Sequence, residues 1–196
     1  MPLKKRSRPL IIGICGRSCS GKSSVSRALK AINPRNILHI EADNFAKAVT
    51  PHRFNGFENL DHPSTIKFGK LIKAIRMLQA GKSTNIPKKR GERRHTLKVN
   101  PKKIIIVDGF LIFSHEDLVG LFDKKIFIDV SDETIRIRRF ARNRYPKFDG
   151  ADYVNKVVIP FSKRYEALQK AQADIVVSGE GSEEYLIHRI RQHLSV

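Results

Sequence analysis

The stretch that decides the fold is Gly16-Arg17-Ser18-Cys19-Ser20-Gly21-Lys22-Ser23, which satisfies the pattern G-x-x-x-x-G-K-[ST]. A short apolar run precedes it, and residues 22–32 form a predicted helix that Asn33-Pro34 stops. Glycines in such a turn let successive backbone N–H groups point at one anion, and the N-terminus of the helix adds positive potential. The sequence therefore predicts a loop that holds the phosphates of a nucleotide.

Each part of this loop has an expected role. Lys22 would bridge the β- and γ-phosphates of ATP, and the hydroxyl of Ser23 would contact Mg²⁺. The predicted ATP-binding residues are Gly16, Arg17, Ser18, Cys19, Ser20, Gly21, Lys22, Ser23 and Ser24. A chance match to the pattern in a chain of 196 residues is roughly a one-percent event. The flanking strand and helix lower that chance further.

Strand and helix patterns alternate along most of the chain. This alternation predicts an α/β fold, in which a parallel sheet carries helices on both faces. The predicted strands are 9–15, 37–40, 104–107, 125–130 and 174–177, with a basic hairpin over 83–99. The predicted helices are 22–32, 64–80, 115–121, 132–143, 153–171 (bent or split at Pro160) and 182–194. Residues 41–61 read as a long functional loop, 1–8 as a disordered basic tail, and 9–196 as one domain.

The charge and the cysteine content of the chain limit its possible functions. The net charge of +19 implies attraction to polyanions, and basic clusters lie at Lys4–Arg8 and Lys88–Arg94. A solvated basic surface explains these clusters equally well, and no RNA-binding signature accompanies them, so nucleic acid is not the favoured partner. Two cysteines four residues apart neither build a disulfide framework nor have zinc-site spacing. The apolar runs are too short to span a membrane, so we expect a soluble cytoplasmic protein.

Two aspartates follow predicted strands closely, Asp108 directly and Asp43 three residues after its strand. Ligand sites in parallel sheets lie outside the carboxyl ends of the strands. Asp108 ends the run 104–107, where a carboxylate would hold Mg²⁺ or its water, and Asp43 follows 37–40, where it could accept the proton of an attacking hydroxyl. The alternative for each is a helix cap or turn carboxylate. Asp61 and His62 precede a proline, so a turn former and a capping histidine remain alternatives there.

Arginines crowd one short stretch, residues 136–144, which we call the arginine-rich lid. Its members are Arg136, Arg138, Arg139, Arg142 and Arg144. Phosphoryl transfer spreads negative charge over the γ-phosphate oxygens, and arginines that close over them supply charge and exclude water. Arg139 and Arg142 lie three apart and share a helix face, which suits the clamping of one ligand. The alternative is a solvated basic face.

Taken together, these segments resemble the P-loop kinases of the uridine kinase, nicotinamide riboside kinase and phosphoribulokinase group from Leu10 to the C-terminus. The segments that carry the resemblance are Asp43-Asn44-Phe45, Asn59-Leu60-Asp61-His62-Pro63, Val107-Asp108-Gly109-Phe110-Leu111, Arg138-Arg139-Phe140-Ala141-Arg142-Asn143, Phe148-Asp149-Gly150 and Ala173-Asp174-Ile175-Val176-Val177. The fourth is similar to the R-R-x-x-R-[ND] lid of the group.

The resemblance implies an ATP-dependent nucleoside 5′-phosphotransferase that needs Mg²⁺. It implies a catalytic set of Asp43 as base with Lys22, Arg139 and Arg142, and metal contacts from Ser23 and Asp108. The residues implied to bind the acceptor are Asp43, Asp61, His62, Arg94, His95 and Arg138.

The hairpin departs from the group. Uridine kinases carry P-x-Y-D-F-x-x-H-x-R there, whereas Lys89 and Arg90 replace the aromatic and acidic positions in this chain. A positive hairpin suits an anionic group better than a neutral pyrimidine. Nicotinamide riboside and a phosphorylated sugar therefore stay open as acceptors, and an RNA-binding P-loop protein stays open as a different class. The sequence does not determine the oligomeric state.

Overall fold

The computed structural model describes residues 8–47, 52–90, 93–142 and 146–194. In chain order its strands and helices are β1 (Leu10–Gly16), α1 (Lys22–Ile32), β2 (Ile37–Glu41), β3 (Arg53–Phe54), β4 (Phe57–Glu58), α2 (Phe68–Gln79), β5 (Thr84–Arg90), β6 (Arg93–Val99), β7 (Ile104–Gly109), α3 (Glu116–Val119), β8 (Lys124–Asp129), α4 (Asp132–Arg142), α5 (Pro146–Asp149), α6 (Ala151–Tyr153), α7 (Ile159–Ala171), β9 (Ile175–Ser178) and α8 (Glu183–Leu194). The predicted hairpin over 83–99 is confirmed as the antiparallel pair β5 and β6.

Five parallel strands form the central sheet in the order β2-β7-β1-β8-β9. Side chains on β1 alternate between its two faces, as the period of a strand requires. Ile11 and Cys15 belong to a core shared with α2, while Ile12 and Ile14 belong to a core shared with α1 and α8. The α/β fold with helices on both faces is therefore confirmed.

The helix predicted over 64–80 begins at Phe68, so its predicted start is wrong. Residues Pro63–Thr65 form a separate 3₁₀ turn, in which the ring of His62 accepts a hydrogen bond from the backbone N–H of Ser64. Ile66 is extended and forms a β-bridge with Ala46. This bridge holds the chain out of the helical conformation until residue 68.

The helix predicted over 153–171 is continuous but contains an irregular π-helical turn just before Pro160. A proline lacks the N–H that would bond the carbonyl four residues earlier. Val154–Val158 adopt a π-helix here, and the carbonyl of Lys156 accepts a hydrogen bond of 2.7 Å from the side-chain amide of Asn55 instead. Asn55 lies in the turn between β3 and β4, so this tight hairpin docks against the irregular turn of the helix.

The described parts of the predicted loop over 41–61 contain the 3₁₀ helix Ala42–Phe45 and the hairpin of β3 and β4. Residues 1–7 of the predicted tail lie outside the described residues, while Arg8 forms an ion pair of 2.6 Å with Asp123. In the described part of the chain, no helix has both the length and the apolar character that a membrane span requires. Cys15 and Cys19 are both free thiols.

Candidate active site

The loop between β1 and α1 has a backbone that depends on its two glycines. Gly21 has a φ of 97°, a left-handed conformation that other residues adopt at a cost. A Cβ atom on Gly16 would lie 2.5 Å from the carbonyl oxygen of Ile128 on the neighbouring strand. The Lys22 ammonium is mostly buried and donates to the carbonyl of Arg17 at 2.9 Å. The loop thus folds around the amino group of Lys22.

A cleft with a volume of about 710 Å³ opens beside this loop, at the carboxyl ends of β2, β7 and β1. It is lined by two-thirds of the residues predicted to act in the site. These are Ser18, Cys19, Gly21, Lys22, Ser23, Ser24, Asp43, Asp61, Asp108, Arg138, Arg139 and Arg142. Parallel strands all end at the same edge of a sheet, which explains why residues far apart in sequence meet there.

Asp108 lies at the floor of the cleft with two close partners. The hydroxyl of Ser23 lies 2.5 Å from one carboxylate oxygen, and Nε2 of His39 lies 2.8 Å from the other. Burial alone would raise the pKa of Asp108, but the hydrogen bonds from His39 and Ser23 and the charge of Lys22 outweigh it and lower the pKa. Asp108 is therefore a fixed anion beside the Ser23 hydroxyl.

Asp43 faces the cleft from the 3₁₀ helix after β2. Its side chain is open to the cleft, but the surrounding protein walls displace bulk water and this desolvation raises its pKa to about 6. Lys22 lowers the pKa, while Asp108 and Asp61 add to the increase. A carboxyl group with a pKa of about 6 is ionised at neutral pH and is more basic than an ordinary aspartate.

Asp61 lies on the same side of the cleft. Desolvation raises its pKa, and the cations that oppose this increase are Arg139, Lys22 and Arg142 in order of strength. Asp61 therefore faces two arginines of the arginine-rich lid. Arg138 is not among these cations.

Arg139 and Arg142 are held by a carboxylate that sequence reasoning had not placed in the site. Asp149 is fully buried, and its Oδ1 atom lies 2.9 Å from Nε of Arg139 and 2.6 Å from a terminal nitrogen of Arg142. Arg139 also donates to the hydroxyl of Ser18 in the phosphate loop at 2.6 Å. The lid therefore reaches the phosphate loop through Arg139.

Arg138 points to the other side of the lid. Its guanidinium donates to the backbone carbonyls of Cys19 at 3.2 Å and Gly179 at 2.8 Å. These contacts place Arg138 at the phosphate loop, on the side of the cleft formed by the start of α8. Residues 143–145, which include the predicted lid members Asn143 and Arg144, lie outside the described residues.

The side chain of Arg17 turns away from the cleft. It is buried, and it donates hydrogen bonds to Asp132 at 2.7 Å and to Ser162 at 3.0 Å. It also forms an ion pair with Glu166 at 3.6 Å. Its partners belong to α4 and α7, so Arg17 ties the phosphate loop to both helices. Gly16 and Ser20 likewise do not line the cleft but lie buried beneath it.

Three residues implied to bind the acceptor lie outside the cleft. His62 stacks on His52 with ring centroids 3.6 Å apart and caps a 3₁₀ turn. Arg94 donates to the carbonyl of Ala46 at 2.5 Å, and His95 is exposed on β6 opposite Lys88. The hairpin of β5 and β6 reaches the cleft through Lys89 instead.

His39 and Asp149 are thus site residues whose roles sequence reasoning missed, whereas Lys89 belongs to the hairpin already expected to suit an anionic group. A histidine in the middle of the apolar run 37–40 is a signal that could have pointed to His39, because a buried imidazole needs a polar partner. Asp149 was noticed only as part of the segment Phe148-Asp149-Gly150 that carries the resemblance, and its role was missed because its partners become visible only when the lid is folded.

Comparisons with known proteins agree with this geometry. The model of the Phosphoribulokinase / Uridine kinase family matches residues 11–183. A uridine kinase from Streptococcus pyogenes serotype M5 (strain Manfredo) is 33% identical over 181 residues, which cover 87% of this chain and 87% of that protein. Uridine-cytidine kinase A from Dictyostelium discoideum is 32% identical over 195 residues, and the match covers 95% of this chain but only 39% of that protein.

A solved structure described as a possible uridine kinase from Bacillus stearothermophilus has the same fold, with a TM-score of 0.63 and 16% identity over 89% of this chain and 91% of that chain. The family model spans most of the chain, and the cleft beside the loop between β1 and α1 gathers many of the residues predicted to act in the site. We conclude that this chain belongs to the phosphoribulokinase and uridine kinase family and is a P-loop kinase that uses ATP to phosphorylate a small molecule.

Proposed function

We propose that the protein transfers the γ-phosphoryl group of ATP to the 5′-hydroxyl of a nucleoside. The observation that carries this proposal is the position of Asp43, a desolvated carboxylate with a pKa of about 6 that faces the same cleft as Lys22. Relatives named uridine kinase support a nucleoside as the acceptor. Asp61 faces the same cleft and offers a carboxylate to which two ribose hydroxyls could donate.

The reaction follows from the chemistry of these groups. The hydroxyl oxygen of the acceptor forms a bond to the γ-phosphorus, its proton passes to Asp43, and the bond from the γ-phosphorus to the bridging oxygen breaks to release ADP. Lys22 and the arginines Arg139 and Arg142 balance the negative charge on the phosphate oxygens. Because the transition state of phosphoryl transfer is loose, positioning of these groups contributes more than the strength of the base.

The residues at the floor of the cleft fit Mg²⁺. The hydroxyl of Ser23 and the ionised carboxylate of Asp108 are hard oxygen donors 2.5 Å apart, and proteins hold Mg²⁺ with one or two carboxylates together with substrate phosphates. Ser23 and Asp108 would hold the ion directly or through water. Bound there, Mg²⁺ would neutralise charge on the phosphate oxygens.

The proposal is tested by incubating the protein with Mg-ATP and uridine or cytidine while ADP release is monitored by a coupled assay. We expect nucleoside-dependent ADP release that the Asp43→Asn variant loses by about 10³-fold. The matched control is the variant Asp117→Asn, which replaces an exposed aspartate and should leave the rate unchanged. Both variants should bind Mg-ATP normally by calorimetry. If Asp43→Asn keeps turnover within tenfold of the wild type, Asp43 is not the base.

A second acceptor is favoured by one observation, the position of Lys89 at the cleft. An ammonium group there would attract an acceptor that already carries a phosphate. The same assay with ribulose 5-phosphate and with nicotinamide riboside separates these acceptors. A rate with the sugar phosphate at least tenfold above the rate with uridine would replace the nucleoside as the proposed substrate.

A further inference from the structure

One part of the chain holds a large surplus of positive charge. Between Asp61 and Glu92 the sequence has no acidic residue, and it has eight lysines and arginines. The whole chain, by contrast, has 19 acidic residues for 38 basic ones. Charge of one sign concentrated in one segment destabilises the fold, because like charges on neighbouring helical turns repel each other. Such a concentration therefore suggests a function that requires it.

Four exposed cations wind obliquely across the solvent side of helix α2 and its N-cap, because residues three apart are turned by about 60° around the helix axis. Lys67, Lys70, Lys73 and Arg76 follow each other at intervals of three residues and are all exposed. We call these four residues the cationic ridge. The opposite side of α2 is apolar and buried in the core, so the ridge faces solvent. With a rise of 1.5 Å per residue, the ridge extends about 14 Å along the helix axis.

The charge of the cationic ridge is not balanced within the protein. None of its four side chains makes an ion pair with any residue that the structure describes. The hairpin that packs beside α2 differs in this respect, because Lys88 forms an ion pair of 3.2 Å with Glu41 and Arg94 is bound to backbone carbonyls. The ridge is therefore available to an external anion.

A groove with a volume of about 520 Å³ runs beside the ridge, between α2 and α3. Lys73, Arg76 and Lys82 all line it, and Asp117 is the single acidic residue among its described lining. Lys82 lies beyond the end of α2, so the cations extend past the ridge itself. This arrangement offers positive charge over a length that one phosphate group or one triphosphate does not fill.

We infer that the cationic ridge and this groove bind a nucleic-acid strand through its phosphate backbone. Each nucleotide of a nucleic-acid strand carries one phosphate charge, so a strand that crosses the ridge can offer a separate phosphate to each of its spaced cations. No aromatic side chain is exposed on α2, since its one aromatic residue, Phe68, is buried. The one aromatic ring in the described lining of the groove, that of His115, is half-buried and packs against Phe68 with ring centroids 4.9 Å apart. Contacts to phosphates therefore dominate, and we expect binding that is independent of base sequence.

A membrane surface fits the same features less well. Helices that lie in a lipid interface insert an apolar face, whereas the apolar face of α2 packs against the protein core. The ridge could contact anionic headgroups only by charge. Nucleic acid offers a denser row of phosphates than a bilayer with a minority of anionic lipids, so it is the partner that the charge pattern favours.

The nucleic-acid surface is separate from the kinase site. No residue of the ridge lines the active-site cleft, so the two functions can be tested independently. The triple variant Lys70→Gln, Lys73→Gln, Arg76→Gln removes the centre of the ridge. The matched control Lys30→Gln, Arg35→Gln, Arg189→Gln removes three exposed charges on α1, in the loop that follows it and on α8. Each variant lowers the net charge by the same amount.

The experiment measures binding of a fluorescein-labelled, mixed-sequence 20-nucleotide RNA by anisotropy from 50 to 300 mM salt. We expect the wild type and the control to bind at 150 mM salt with a similar dependence on salt. The ridge variant should bind at least about tenfold more weakly, and the slope of log K against log salt should become shallower by about 2, because about 0.7 is lost per phosphate contact. ADP release and the melting temperature should be unchanged in both variants.

Three results would overturn the inference. The first is no RNA binding by the wild type at 150 mM salt, and the second is equal weakening in both triple variants, which would assign the effect to net charge alone. The third is stronger binding to vesicles with 20% phosphatidylserine than to RNA at the same phosphate concentration, which would point to a membrane. A wild type that binds RNA but lacks kinase activity would contradict the proposed function and leave the RNA surface standing.

Discussion

Nε of Arg139 lies 2.9 Å from a carboxylate oxygen of Asp149, whose side chain is fully shielded from solvent. The same oxygen lies 2.6 Å from Arg142. One buried carboxylate therefore holds both of the lid arginines whose charges lower the pKa of Asp61, and Arg139 also contacts the phosphate loop. Because long arginine side chains lose considerable rotamer entropy when they are fixed, we propose that this pairing orders both side chains before ATP binds.

Replacement of Asp149 by asparagine should lower kcat more than it raises the KM for ATP. Asparagine has the same shape but no charge, so the guanidinium groups lose the anion that orients them, and we expect kcat to fall about 100-fold. Steady-state kinetics measures both constants. Asp152→Asn is the matched control, since Asp152 lies in the same segment but is exposed and pairs only with Lys156 among the described residues. Equal kinetics for both variants would show that Asp149 does not position the lid.

The pKa of Asp43 predicts the acid limb of the pH profile. Because Asp43 must be ionised to accept a proton and its pKa is raised to about 6, kcat/KM should fall about tenfold per pH unit below pH 6. With an ordinary aspartate as the base, kcat/KM would stay unchanged down to about pH 4. A profile of kcat/KM from pH 4.5 to 8 with saturating Mg-ATP checks this. A rate that stays level down to pH 5 would exclude the raised pKa.

The carboxyl group of Asp43 should destabilise the folded protein at neutral pH. Its pKa is 3.8 in its ordinary state and about 6 in the folded protein, so the folded state binds more protons between these values. Stability contributed by Asp43 is thus present at low pH and is lost as the pH rises through 6. We expect Asp43→Asn to raise the melting temperature at pH 7.5 and to raise it less at pH 5. A lower melting temperature at pH 7.5 would contradict this sign.

Asp108→Asn should raise the Mg²⁺ concentration that is needed for half-maximal activity. Asparagine has the same shape, and its one oxygen can still accept from His39 while its amide group donates to the hydroxyl oxygen of Ser23, so the fold should persist while the charged oxygen donor is lost. We expect an increase of at least about tenfold, measured by titrating activity with Mg²⁺ at fixed ATP. Asp174→Asn, at the opposite end of the sheet, is the control. An unchanged Mg²⁺ requirement would remove Asp108 from the proposed metal site.

Arg17→Met should destabilise the protein more than it weakens ATP binding. The Arg17 side chain is 3% exposed and neutralises Asp132, so its loss leaves a partly buried carboxylate with less compensation. Breaking a buried pair in this way costs about 3 kcal/mol of unfolding free energy, which urea denaturation measures. Calorimetry with Mg-ATP should show a change in Kd below tenfold. Loss of ATP binding without loss of stability would mean that the side chain itself contacts the nucleotide.

Much of the fold could be predicted because it depends on the properties of residues that are close together in sequence. The phosphate loop needs glycine at Gly16 and Gly21 for steric reasons, and apolar strands alternating with amphipathic helices leave few arrangements other than a parallel sheet. Helix boundaries were harder. The start of α2 depends on the bridge between Ala46 and Ile66, which joins segments 20 residues apart.

The site was predicted only in part, for a related reason. Asp43 and Asp108 were found because carboxylates that closely follow strands of a parallel sheet must meet at one edge. The direction in which each arginine side chain points could not be predicted in this way. Arg138 and Arg139 are neighbours in sequence, yet one binds the backbone of the phosphate loop and the other binds Asp149.

The sequence alone determined the phosphate loop, the α/β architecture and the carboxylates at the strand ends, since each follows from steric demands or from hydrophobic periodicity within a few residues. Only the tertiary structure decided that His39 supports Asp108, that Asp149 holds the lid and that Arg17 faces the interior. These are pairings of charged and polar groups across distant segments. Their partners depend on how helices and strands pack, and electrostatic energy is strong only after packing has removed water from between them.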